Sequence, residues 1–102
     1  GKDVKPRPIL TEVKQPAEKM DAVAGQYELR PGFVLKVWRE GEQMMTQATG
    51  QGKVPVFALS EYRYFSRTVD AQLEFKPGAD GKAAGLVLHQ NGRQTEAKKI
   101  GE

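Results

Sequence analysis

The sequence predicts a mainly β domain of roughly eight antiparallel strands, an up-and-down meander curled into a barrel or half-barrel behind one short N-terminal helix. Three observations carry this. Apolar residues recur at every second position through most of the chain after Gln26, the period of a half-buried strand. Turn signals built on Gly, Pro and Asn break that alternation at short intervals, which makes consecutive strands antiparallel neighbours. The chain has 102 residues, of which 38% are hydrophobic. That composition fills one core and not two, and a flat sheet with a single small helix would leave too much of it in water.

The elements follow in order. Gly1 reads as an expression scar ahead of a lead-in, residues 1–16, that carries prolines at 6, 8 and 16 and favours an extended path. Within it, Ile9 to Val13 alternates weakly and suits a short edge strand. Pro16 stands at the first turn of a helix from Ala17 to Ala24, where a missing N–H costs nothing. Met20, Val23 and Ala24 give that helix an apolar face, and Gly25 serves as its C-cap. Residues 17–102 then form the single small domain. Tyr27 and Leu29 open the alternation, and Pro31-Gly32 turns it. Phe33, Leu35 and Val37 share one face of the next strand, while Val34, Lys36 and Trp38 share the other. Glu40-Gly41 reverses the chain into Gln43 to Thr49, with Met44, Thr46 and Ala48 opposite Met45, Gln47 and Thr49. Gly50 and Gly52 bracket the following loop. Val54 to Leu59 is the fourth strand, and Pro55 near its start marks an edge or a bulge. Tyr62 to Arg67 is the fifth, with Tyr62 and Tyr64 on one face and Phe65 on the other. Ala71, Leu73 and Phe75 make the cleanest amphipathic strand, and Pro77 to Lys82 is a polar turn. Gly85 to Gln90 follows, with Leu86 and Leu88 opposite Val87 and His89. Asn91-Gly92, which tolerates a left-handed pair, joins it to Arg93 to Ile100.

Composition excludes more chemistry than it offers. Without cysteine there is no disulfide framework, thiol nucleophile or Cys-ligated metal. No apolar run nears the ~20 residues that span a bilayer, so membrane insertion is not expected. The net charge is +3, with 16 basic and 13 acidic residues interleaved along the chain. That is a mixed solvated surface, and no nucleic-acid partner is expected without basic residues clustered among stacking aromatics. The lone histidine, His89, and the serines Ser60 and Ser66 fit neither a G-x-S-x-G elbow nor an S-x-x-K motif. One histidine among scattered carboxylates has no metal-ligand spacing, and no cofactor is expected. Gly50 to Lys53 lacks the spacing of a phosphate loop, and Asp80 lacks that of a calcium loop. No catalytic, cofactor-binding or metal residue is therefore assigned.

The feature most open to a functional reading is the set Trp38, Met45, Tyr62, Tyr64 and Phe65. Aromatic residues and Met are enriched at contact surfaces. They also line barrels, and the sequence leaves both readings open. In the first, these residues meet a neighbouring domain. In the second they line the inside of the barrel, filled by side chains with little room for a cavity. An alternative function is a small apolar or peptide-like ligand held in a barrel mouth lined by some of Trp38, Met45, Tyr64 and Phe65.

Five stretches carry a family resemblance: Ala24 to Leu29 (AGQYEL), Phe33 to Val37 (FVLKV), Gln47 to Gly50 (QATG), Val69 to Gln72 (VDAQ) and above all Gly85 to Gly92 (GLVLHQNG). Over about residues 17 to 100 the chain resembles the uncharacterised C-terminal accessory domain of beta-lactamase-related serine hydrolases, relatives of class C beta-lactamases and penicillin-binding proteins. Ala22 and Val23 depart from the aromatic that such domains tend to carry in the lead-in helix. The resemblance implies a lipocalin-like, calycin-type barrel and a bacterial periplasmic or envelope location. It further implies a non-catalytic role, in which the catalytic serine belongs to a hydrolase domain of the same parent chain and this domain packs on it or helps position its substrate.

Overall fold

The computed structural model describes residues 12–101. One helix, α1 (Ala17–Val23), precedes eight strands: β1 (Gly25–Arg30), β2 (Phe33–Glu40), β3 (Gln43–Ala48), β4 (Lys53–Ser60), β5 (Arg63–Phe65), β6 (Ala71–Pro77), β7 (Ala83–Gln90) and β8 (Arg93–Gly101). Each strand pairs antiparallel with the next, and β8 returns to β1, so the sheet is a closed barrel. Closure removes the unpaired edges that an open meander would expose. Of the two shapes left open by the sequence, the structure adopts the barrel.

Alternation sorts the side chains as the pattern requires. Tyr27, Leu35, Val37, Met44, Val56, Ala58, Tyr64, Leu73, Phe75, Leu86 and Ala97 point into one core, joined by Met20 and Val23 from the helix. Its centre is a ladder of rings. Phe75 meets Tyr27 edge-on at 5.6 Å between centroids and Tyr64 at 5.8 Å. The Tyr27 hydroxyl donates to the carbonyl of Val23 at 2.7 Å, satisfying one of the acceptors that a helix C-terminus leaves open. Two ion pairs hold α1 across the barrel end, Asp21 to Arg39 of β2 at 2.9 Å and Lys19 to Glu61 of the β4–β5 turn at 2.8 Å.

Several local readings shift. Pro16 is the N-cap of α1, one residue earlier than expected, and its carbonyl accepts from the N–H groups of Lys19 and Met20. Gly25 is the first residue of β1 and not a C-cap. A Cβ there would lie 2.8 Å from the carbonyl oxygen of Gly101 and 2.6 Å from the Lys99 side chain, so glycine is needed for close approach at the β1–β8 seam. The fifth strand shrinks to three residues. Tyr62 sits in the turn before it, and after Phe65 the Ser66 hydroxyl accepts from the N–H groups of Thr68 and Val69, a local turn that competes with strand pairing. That short β5 explains how Pro55 is accommodated. Pro55 pairs with Met45 on one side, and β5 pairing, which reaches only to Phe57, leaves it no partner on the other. Asn91-Gly92 has the two positive φ values, 51° and 79°, of the expected hairpin. Of the edge segment expected at Ile9 to Val13, residues 9–11 lie outside the described residues, as does the rest of the lead-in before Glu12. Val13 does donate to the carbonyl of Ala58 at 2.8 Å.

Candidate interaction surface

The five residues singled out by the sequence do not form one cluster. Tyr64 belongs to the core, 1% exposed. Tyr62, half-buried at the helix-covered end, donates from its hydroxyl to the carbonyl of Gly81 at 2.7 Å and so ties the β4–β5 turn to the β6–β7 loop. Trp38, Met45 and Phe65 alternate with the core residues Val37, Met44 and Tyr64 and stand on the outer face. Trp38, Met45, Tyr64 and Phe65 therefore do not all share one face: the wall of the sheet separates Tyr64 from the other three.

Outside the barrel, register does the assembling. Trp38 of β2 lies opposite Met45 of β3, which lies opposite Pro55 of β4, an apolar row crossing three strands. Two residues along β4, Phe57 lies opposite Phe65 of β5 with ring centroids 5.8 Å apart. The Arg67 guanidinium lies over both, 4.1 Å from the centre of the Phe57 ring and 5.4 Å from that of Phe65. A cation on ring faces is attracted by their quadrupoles, and here it covers Phe65, which is only 3% exposed. Glu12 pairs with Arg67 at 3.7 Å. The rim is polar: Glu40 accepts from the Trp38 indole N–H at 2.8 Å and from Lys53 at 3.3 Å. These bonds, the indole first, hold the Glu40 carboxyl below the usual carboxylate range.

The wall formed by β6 and β7 is different in kind. There Glu74 is a hub, 3.0 Å from His89 Nε2, 3.3 Å from Lys76 and 3.7 Å from Arg63, which also donates to Gln72 at 2.9 Å. His89 is half-buried on this face, hydrogen-bonded to Glu74 at 3.0 Å. Among the described residues no group of three His, Cys, Asp or Glu side chains is placed to hold a metal ion. The barrel thus has one charged, self-satisfied side and one apolar side.

The family described as "Domain of unknown function (DUF3471)" matches residues 11–99. The chain belongs to this family. Over 73 residues it is also 33% identical to "Penicillin-binding protein 4*" of Bacillus subtilis (strain 168), a match that covers 72% of the chain and 16% of that protein. The chain therefore spans under one fifth of the length of this curated relative, and its resemblance to a domain of beta-lactamase-related, penicillin-binding-protein-like proteins holds. In this DUF3471 chain no described helix is long and apolar enough to cross a membrane.

Sequence reasoning found Trp38, Met45 and Phe65 but missed Pro55, Phe57 and Arg67. Alternation against Val54, Val56 and Ala58 already puts Pro55 and Phe57 outside. That Phe57 meets Phe65 depends on the β4–β5 register, which shifts between Ala58 and Ser60. Arg67 acts from a bend that strand periodicity does not describe.

Proposed function

We propose that this chain is a non-catalytic accessory domain of a beta-lactamase-related serine hydrolase of the bacterial envelope, and that its apolar β2–β5 face packs on the hydrolase domain. The observation that carries the reading is the outer row Trp38, Met45 and Pro55 with the Arg67-capped Phe57–Phe65 pair. It has the composition of an interface centre, aromatic, Met and Arg, with charged residues held to the rim. The position of Glu12 supports the same face: this first described residue pairs with Arg67 beside the patch. The match to under one fifth of a penicillin-binding protein agrees with a module carried by a larger chain.

The test is a binding titration of the chain against the separately expressed remainder of its parent hydrolase. Trp38→Ala is expected to weaken binding by about thirtyfold, the loss of roughly 2 kcal/mol for an interface anchor. Glu96→Ala, on exposed β8, should leave it unchanged. Equal binding by the two variants, or by an unrelated β domain, would reject the reading.

A further inference from the structure

The barrel end covered by α1 has an unfinished seam. The β3–β4 ladder reaches only to Met44 opposite Val56, and beyond it the carbonyl of Ala58 turns to the N–H of Val13. Residues 12–15 therefore run as a strap where β3 has already left, and between strap and sheet lies a cavity of about 380 Å³. A second cavity, of about 420 Å³, lies against the same Lys14, Gln15, Met20 and Glu42. Both volumes fall in the roughly 300–1,000 Å³ range of small-molecule sites.

Three features of the first cavity point to a ligand. Tyr64 lines it, and the buried Tyr64 hydroxyl has no hydrogen-bond partner. The Tyr27 hydroxyl in the same core has one, and buried polar groups are normally paired. Burial pushes the Tyr64 phenol up to about 12, so at neutral pH it is a donor awaiting an acceptor. Its apolar lining includes Met20, Met44 and Val56, two of them thioethers that adapt to irregular shapes. At the rim, Lys14 and Glu42 are exposed and neither has an ion-pair partner among the described residues. Their neighbours Glu12, Lys19 and Asp21 are all paired. One unspent cation and one unspent anion complement a zwitterion.

We propose that this crevice binds a short peptide with free termini. Its ammonium faces Glu42 and its carboxylate faces Lys14. A small apolar side chain lies against Met20, Met44 and Val56, and a peptide carbonyl accepts from the Tyr64 hydroxyl. This site adjoins the β2–β5 face at Phe57 and Glu12, and its test at Tyr64 inside the barrel is distinct from the Trp38 test of docking.

The tripeptide Ala-Val-Ala, titrated into the ¹⁵N-labelled chain, tests it by amide chemical shifts. Saturable shifts are expected at Val13, Lys14, Met44 and Ala58. Tyr64→Phe, which removes one oxygen that bonds nothing in the protein, should fold as well as the parent and bind about two- to tenfold more weakly, the worth of one neutral hydrogen bond. The N-acetylated, C-amidated peptide should bind more weakly still. Absence of saturation at about 10 mM peptide, well beyond millimolar affinity, would overturn the proposal. So would unchanged affinity in Tyr64→Phe, or shifts confined to the β2–β5 face.

Discussion

Replacing Phe75 by leucine tests whether the ring ladder holds the barrel together as its geometry suggests. The substitution keeps an apolar side chain of similar reach at a position 2% exposed, so most of the buried area survives. What goes is the pair of edge-on contacts, with Tyr27 at 5.6 Å and 61° and with Tyr64 at 5.8 Å and 86°. Such contacts contribute about 0.5–1.5 kcal/mol each beyond burial, so the expected loss is about 1–3 kcal/mol. For a domain of this size each kcal/mol lowers Tm by about 4–8 °C, and the total is a large part of the roughly 5–15 kcal/mol that holds such domains folded. Urea unfolding followed by circular dichroism reads the change, with the denaturant slope as a check that the unfolded state is unaltered. The Tyr64→Leu, Phe75→Leu cycle then isolates one contact, cleanly because the Tyr64 hydroxyl has no partner to lose. Coupling of about 0.5–1.5 kcal/mol is expected. Additive single effects, or a loss in Phe75→Leu below about 0.5 kcal/mol, would refute the assignment of stability to ring geometry.

Two further outcomes follow from close contacts and charge. A Cβ at Gly85 would sit 2.8 Å from the carbonyl oxygen of Ala97 in the neighbouring strand, so Gly85→Ala must spread β7 from β8. A loss of about 1–3 kcal/mol in urea unfolding is expected, while Gly52→Ala, facing open space, should be neutral; equal stability of the two would contradict the register. Glu74 has its carboxyl held below the usual range by the His89 hydrogen bond first and then by Lys76 and Arg63. A carboxylate lowered in the folded state contributes stability above its unfolded value and loses it as pH falls through the folded one. Urea midpoints should therefore drop from the ordinary carboxylate range downward, and Glu74→Gln should flatten that acid limb. Superimposable pH profiles would show that the hub contributes nothing.

The strands were legible because their signal is local. In Ala71 to Phe75 or Phe33 to Val37, period two and flanking turns determine both the element and its inward face. Where the reading slipped, the cause was a partner distant in sequence. Gly25 looks like a helix cap until the Gly101 carbonyl of β8 is placed against it. Tyr62 to Arg67 alternates like a strand, but the Ser66 hydroxyl binds backbone two and three residues on and ends β5 early. The aromatic set was legible as residues and not as a surface: composition names Trp38, Met45, Tyr64 and Phe65, and only strand register puts three outside and one within. Phe57 and Arg67 escaped because their stack joins β4 to a bend, and a bend has no period to read.

Closure of the barrel also fixes an order of events in time. Until β8 is synthesised, β1 and β7 are both open edges, and they lie at opposite ends of an otherwise complete meander. An open edge is a template for pairing with any other strand nearby, and the contact that closes this one joins residues as far apart as Gln26 and Gly101, a long loop that forms slowly. The nascent chain is therefore exposed to mispairing for as long as its last nine-residue strand is missing. A truncation within Arg93–Gly101 would make that passing hazard permanent, and the product to look for is an aggregate and not a smaller folded domain.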